Sequence, residues 1–262
     1  MISKELNNIM GNFNSVSLND IDGLEFLNRC DTKFPFPLYK APELFEALNG
    51  DYKILEIGSN KLFGYKTTYF DTDDFELFVK HQNGKFNRYK LRYREYIETE
   101  TSYLELKFKN NKGKTLKKRI KYELGNELTK PAIQFLKKTS PLYIPDYKPK
   151  MTTFFNRLTF VSFKHKERIT FDYNLSFKEL ESRNEENLPF LAIAELKNEG
   201  FGNKSNFYQI MKSLGILPSG MSKYCVGMSL LNDSLKKNNF KPKLRMLNKI
   251  KNDNELFTGL YA

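Results

Sequence analysis

The sequence predicts an α+β fold, a closed and mostly antiparallel β-barrel with helices packed on its outside. Three observations predict it. At least six segments alternate as strands do, with an apolar face and a face of Arg, Lys and Glu. Between and after them lie helical segments with a single apolar stripe. The chain of 262 residues carries a formal net charge of +12, an excess that asks for an anionic partner. Were the apolar strand faces turned inward, the charges would cover the exterior and the helices would have nothing to bury. With the helices covering the apolar faces from outside, the charged faces line a polar tunnel and more surface is buried.

Each element has its own signal. Residues 1–19 read as a flexible lead, and Asn19 or Asp20 caps a short amphipathic helix through Ile21, Leu24 and Leu27. A strand over 28–36 has Arg29, Asp31 and Lys33 on one face and Cys30, Thr32, Phe34 and Phe36 on the other. Pro42 opens a helix that Gly50 closes. Strands follow at 52–57 and 62–71, then a two-turn helix with Phe75, Phe78 and Val79 inward, ended by Gly84. The next strand puts Arg88, Lys90, Arg92 and Arg94 on a single wall, with Tyr89, Leu91 and Tyr93 opposite. Such a row of like charges repels itself unless it faces water or a polyanion.

Residues 103–109 place Tyr103, Glu105, Lys107 and Lys109 against Leu104, Leu106 and Phe108, and Asn-Asn-Lys-Gly signals a hairpin. The return strand carries Lys117, Arg119 and Lys121 opposite Leu116, Ile120 and Tyr122, with Lys118 breaking the pattern. A helix near 129–138 and a loop precede strands at 153–163 (Arg157 against Leu158 and Phe160), 167–177 (Arg168, Thr170 and Asp172 against Ile169, Phe171 and Tyr173) and 190–197 (Glu195 and Lys197 against Ala194 and Leu196). Ser205 caps a helix with Phe207, Ile210, Met211 and Leu214 inward, and Ser222 caps another with Tyr224, Met228 and Leu231. A basic helical tail, 236–262, has its helix near 242–250. The body between, 20–235, reads as one domain.

Several function classes fall away. Two cysteines, Cys30 and Cys225, make no disulfide framework and suit a reducing cytoplasm. The N-terminal residues lack a signal pattern, and no apolar run reaches the roughly 20 residues a spanning helix needs. An outer-membrane barrel joins its strands by turns and loops, not by amphipathic helices. With only His81 and His165, a catalytic triad or a His-rich metal site is excluded, and His81 reads as structural and Cys225 as buried. A tunnel holding Arg88, Lys90, Arg92, Arg94, Lys107, Lys117, Arg119, Arg157 and Arg168 asks for a string of phosphates. The few acids on those faces, Asp31, Glu105, Asp172 and Glu195, find their simplest extra role in holding a divalent cation, Mg²⁺ or Mn²⁺, that bridges phosphate oxygens.

Taken singly these residues read blandly: Glu195 as a salt-bridge partner of Lys197, Ser222 as an N-cap, Asp31 and Asp172 as structural. Taken together they are familiar. The run YFDT…FVKHQNGKFNRYKLRYREY, with DTKF, YLELKFK, KKRI, FNRLTF, ERITFD, AELK and SKY in order around it, resembles the VTC domain, the polyphosphate polymerase domain of the vacuolar transporter chaperone complex. That domain belongs to the triphosphate tunnel metalloenzymes, also called the CYTH-like superfamily. The resemblance spans about residues 20–230.

It implies an eight-stranded tunnel in which the γ-phosphate of ATP passes to a growing polyphosphate chain. Lys33 corresponds to the lysine of the first strand. Arg92 and Arg94, or alternatively Arg88 and Lys90, match the paired basic residues that grip phosphates. Lys107 and Arg119 match those of the next hairpin, Arg168 matches the arginine of a later strand, and Ser222 and Lys223 match the pair at the tunnel mouth. Lys117, Arg157 and Lys197 share their faces. Glu195 matches the metal-binding glutamate, with Glu105 and Asp31 as further candidates for Mn²⁺ or Mg²⁺. Asp31 stands where many superfamily members carry Glu.

The expected partners are ATP and polyphosphate rather than nucleic acid. Set against the eukaryotic pattern, the sequence is expected to lack the inositol-phosphate-sensing domain and the membrane span. Export would then fall to a separate membrane protein, with this chain cytoplasmic or peripheral beside it. Two alternatives stay open: a tripolyphosphatase or nucleoside triphosphatase of the same fold, and a non-catalytic module binding polyphosphate or nucleic acid.

Overall fold

The computed structural model describes residues 2–22, 29–123, 128–199 and 202–260. Leu24 and Leu27, and the side chain of Cys30, lie outside the described residues. The chain opens with α1 (Ile2–Gly11), β1 (Ser15–Val16) and α2 (Leu18–Asp22). Leu6, Met10 and Phe13 are buried in the main core, so the lead read as flexible is a packed helix. Then come β2 (Arg29–Pro37), α3 (Ala41–Leu48), β3 (Lys53–Leu55), β4 (Phe63–Asp71) and α4 (Glu76–Gln82). The hairpin strands are β5 (Arg88–Tyr96), β6 (Thr101–Lys109) and β7 (Thr115–Lys121), followed by α5 (Lys130–Thr139). The second half holds β8 (Lys148–Ser162), β9 (Glu167–Glu179), β10 (Glu185–Leu188), β11 (Leu191–Glu199), α6 (Asn206–Ser213), α7 (Lys223–Leu231) and α8 (Lys241–Leu260).

The eleven strands among the described residues belong to one sheet. Eight run as a continuous antiparallel path, β2-β11-β9-β8-β4-β5-β6-β7, and β1, β3 and β10 attach to its side. The expectation of a closed eight-stranded barrel is therefore corrected: among the described residues no ladder joins β7 to β2, and the sheet is open. The physical reason lies in β7, an exposed edge strand whose Lys117, Lys118, Arg119 and Lys121 oppose further pairing. The sheet still curls far enough for Lys33 on β2 to face Lys90 and Lys107 on β5 and β6 across one cavity.

The helices cover the convex side as the alternation predicts. Phe34 and Phe36 of β2, Phe160 of β8, Phe171 of β9 and Ala194 of β11 pack against α1, α3 and α6. Leu91, Tyr93, Leu104 and Leu106 pack against Ala132 and Leu136 of α5. In α4 the inward residues are Leu77 and Phe78, whereas Val79 is exposed. The frame shifts because the buried Asp71 carboxylate accepts the amides of Leu77 (2.8 Å) and Phe78 (2.9 Å), which starts the helix late.

Helix α7 lies on the concave side. Tyr224, Met228 and Leu231 of α7 fill one end of the curl against Met151, Phe155, Phe177 and Ile193. The strands accommodate it by changing phase. At a bulge between β8 and β9, Asn174 takes a left-handed φ of 52°, so the inward residues of β9 switch from Thr170 and Asp172 to Leu175 and Phe177. Gly227 makes the close approach possible, since a Cβ there would lie 2.6 Å from both Met151 Sδ and Phe177 Cδ1. The Tyr224 hydroxyl donates to Asp71 at 2.6 Å and ties α7 to the start of α4. The concave surface is thus apolar where α7 sits and charged everywhere else.

Candidate functional site

The charged part of the concave surface follows from strand parity carried across the register. Lys33 pairs with Glu195, Arg92 with Glu105, Lys107 with Lys117, and Arg157 with Asp172, each pair pointing the same way from neighbouring strands. Three carboxylates organise the cations. Asp172, almost wholly buried, receives Arg157 through two bonds, Nε at 2.5 Å and Nη2 at 2.8 Å, and also contacts Lys223 at the start of α7. Glu105, equally buried, accepts Arg92 Nε at 2.7 Å and contacts Lys117. Glu195 pairs with Lys33 at 2.6 Å and with Lys197 at 3.7 Å.

Burial alone would raise all three carboxyl pKa values. For Glu105 that push is the largest single influence, yet Arg92, Arg94 and Lys117 together overcome it and hold the group at about 2. Asp172 is lowered further by Arg157 and Lys223, and Glu195 lies well below its ordinary value through Lys197 and Lys33. Folded values below unfolded ones mean that these groups contribute stability above about pH 4 and lose it as the pH falls through their folded values.

Aromatic rings floor the site. Arg157 lies over Tyr65 at 4.8 Å and Phe155 at 5.3 Å, Lys223 lies 4.0 Å over Phe155, and Arg94 lies 5.5 Å over Tyr65. Arg94 is nearly buried, donates to Thr67 Oγ1 at 3.2 Å, and has no carboxylate at ion-pair distance among the described residues. Lys90 donates to Ser222 Oγ at 3.0 Å, which joins the basic strand to the cap of α7. Lys107 faces Arg92 and Lys33 but also feels Glu195 and Asp31. A cavity of about 530 Å³ opens between Lys33, Lys90, Lys107 and Ser222.

Five lysines are depressed, each chiefly by burial. Lys90, Lys107, Lys117 and Lys223 come down to about 8 and Lys197 to about 7. The unfolded chain holds these protons up to about pH 10. Between about pH 7 and 10 the unfolded state therefore binds more protons, and the empty protein gains stability as pH rises through that window. A bound polyanion reverses the balance by raising the ammonium pKa values. Calorimetric titration with long-chain polyphosphate, whose interior phosphates stay ionised throughout, is expected to show proton uptake on binding and weaker affinity at pH 9 than at pH 7. Affinity indifferent to pH would contradict it.

The structure brings Lys33, Lys90, Arg92, Arg94, Lys107, Lys117, Arg157, Lys197, Ser222 and Lys223 to this one surface. Arg168 sits beside Lys197 in the β9–β11 register. Arg119 lies at the exposed edge, 4.5 Å over Tyr103, and Arg88 turns back to the Lys85 carbonyl at 2.8 Å, so both mark the rim. His81 and Cys225 form a neutral pair, Nδ1 to Sγ at 3.0 Å, with burial taking the imidazole down to about 3. Parity alone missed Tyr65 and Phe155 as site residues, although they share the inward face with Thr67 and Arg157.

Among the described residues no group of three metal-ligating side chains gathers. Mg²⁺ and Mn²⁺ nonetheless accept one or two carboxylates when phosphates and water complete the shell. Glu195 is the less tightly held carboxylate, since Lys33 takes one oxygen at 2.6 Å while Lys197 stands 3.7 Å from the other, and Asp31 neighbours Lys197 in the β2–β11 register. Glu105 does not fit, because Arg92 and Lys117 occupy its carboxylate.

A search of curated proteins finds no match. A Bacillus halodurans protein described as a candidate adenylate cyclase is similar in structure, with 19% identity and a TM-score of 0.48 over 74% of this chain and 94% of that one. A Hippeastrum candidate adenylyl cyclase, described as having a dominant triphosphatase activity, matches with 17% identity and a TM-score of 0.45 over 76% of this chain and 94% of its own. A Pyrococcus horikoshii protein matches with 12% identity and a TM-score of 0.45 over 77% of this chain and 98% of its own. No helix among the described residues is long and apolar enough to cross a membrane. The model of the VTC domain matches residues 28–232, from the first strand of the curled sheet to the end of the helix inside it, and the chain belongs to that family.

Proposed function

We propose that this protein is a polyphosphate polymerase that transfers the γ-phosphate of ATP to the end of a growing inorganic polyphosphate chain. One observation carries the reading: cations from six strands and a helix, Lys33, Lys90, Arg92, Arg94, Lys107, Lys117, Arg157, Lys197 and Lys223, converge on one concave wall. Such a wall matches a linear polyanion and little else.

In this mechanism Arg92, Arg94 and Lys107 hold successive phosphates so that the chain end, the γ-phosphorus and the ADP oxygen lie in line. A terminal phosphate oxygen forms the new P–O bond while the bond to ADP breaks and ADP leaves. The attacking oxygen is already anionic at neutral pH, so no side chain need take a proton, in keeping with a His81 that is neutral and bonded to Cys225. Preorganised charge supplies most of the transition-state stabilisation. Asp172 and Glu105 keep Arg157, Lys223, Arg92 and Lys117 in place. Glu195, with Asp31 in the next same-face pair of the β2–β11 register, would hold Mn²⁺ or Mg²⁺, and the cation would supply charge neutralisation for the phosphates.

Incubation with ATP and Mn²⁺, followed by a gel stained for phosphate chains, tests the reading. Long chains are expected from the native protein and not from Glu195→Gln. Orthophosphate release without chains would assign the site to a triphosphatase. Unchanged ATP with retained polyphosphate binding would leave only a binding module.

A further inference from the structure

The cavity between Lys33, Lys90 and Lys107 has a fourth cation in its wall, Lys243. This residue lies in the first turn of α8, and the family match ends at residue 232, so it belongs to none of the matched elements. Its ammonium donates to Ser219 Oγ at 2.6 Å. Ser219 in turn donates its amide to the Lys33 carbonyl at 2.7 Å, which fixes the loop before α7 against the first strand of the sheet. Lys243 is thus held by a neutral hydroxyl, and among the described residues no carboxylate pairs with it.

The helix that carries Lys243 is firmly seated. Leu247 and Ile250 are buried in the same cluster as the core of α7, and Tyr39 stacks on Phe257 at 4.2 Å. Lys249, on the same helix, is exposed to solvent. A buried anchor of this kind is more than a solvated tail needs. It sets one ammonium at the lip of a cavity already lined by three others, where a phosphate would displace the hydroxyl as the better acceptor.

We propose that α8 completes the substrate site and that Lys243 binds a phosphate group of the polyanion where it enters the cavity. The inference rests on the polyanion-binding role of the concave wall and extends that role to a segment outside the family domain. Calorimetric titration with tripolyphosphate separates the two. The native protein is expected to bind. Lys243→Ala is expected to bind about tenfold more weakly, the loss of one charge-assisted contact, with the melting temperature of the empty protein unchanged. Lys243→Arg is expected to restore most of the affinity, and Lys249→Ala to match the native protein.

Equal binding by Lys243→Ala overturns the role of Lys243 and leaves the wall intact. An equal loss in Lys249→Ala overturns it too, because net charge would then account for the effect. If the native protein does not bind tripolyphosphate, both readings fall.

Discussion

Asp172→Asn is expected to lower the melting temperature of the empty protein by on the order of 10 °C, and polyphosphate is expected to restore most of that loss. Asp172 is almost fully buried and takes Arg157 in a two-point bond and Lys223 beside it. Removing the carboxylate leaves the buried Arg157 charged and uncompensated, which costs about 3–5 kcal/mol. In a chain of 262 residues each kcal/mol is worth roughly 2–4 °C. Neither cation can relieve the strain by moving to water, because Arg157 is held over Tyr65 and Phe155 and Lys223 opens a buried helix. Phosphate oxygens supply the missing negative charge, so the ligand should rescue this variant by more degrees than it stabilises the native protein. Thermal melts with and without long-chain polyphosphate read both effects. An unchanged melting temperature, or a loss that polyphosphate leaves untouched, would refute the claim that Asp172 balances Arg157 and Lys223 on a phosphate-binding wall.

How much of this was legible beforehand depends on the range of the forces involved. Strand parity is local, so the inward row of Lys90, Arg92 and Arg94 and its continuation through Lys107, Arg157 and Lys197 could be read from alternation alone, whereas Arg88 at the end of the row turns back to the Lys85 carbonyl. Asn-Asn-Lys-Gly announced its hairpin, and Gly113 sits there with a φ of 76°. Closure of the sheet is decided between strands far apart in the chain; the cationic run of β7 disfavours a further partner, but alternation alone does not say whether β2 reaches it. The phase change at Asn174 was invisible for a related reason, since an extra residue in a strand shows only against its partner. Strand β10 was missed because Glu185, Glu186 and Asn187 are exposed and carry no alternation. Helix α1 was missed because its buried side chains, Leu6 and Met10, are sparse among polar ones. Lys243 lay in a charge-rich tail whose packing only the folded chain reveals, while Ser222 was legible as both a cap and a site residue and serves Cys225 N at 3.3 Å and Lys90 together.

Arg94→Met is expected to move stability and activity in opposite directions. Arg94 is nearly buried, and its bond to Thr67 Oγ1 at 3.2 Å is neutral on the acceptor side. Burial lowers its pKa, Arg92 and Arg157 lower it further, and Glu105 offsets that only in part. It is therefore a cation that the empty fold must bear without full compensation, in contrast to Arg157, whose pKa is raised despite burial because Asp172 embraces it. Replacing such a charge with an apolar side chain of similar length removes desolvation and repulsion at once. The empty variant should melt at a temperature equal to or a few degrees above that of the native protein. Phosphate-chain synthesis from ATP should fall by about 100-fold or more, the scale seen when one preorganised electrostatic contact to the transition state is deleted. Lysine at this position should recover little, because an ammonium cannot reproduce the two-point contact of a guanidinium with phosphate. A destabilised variant that keeps its activity would show Arg94 to be a structural residue and would remove it from the phosphate path.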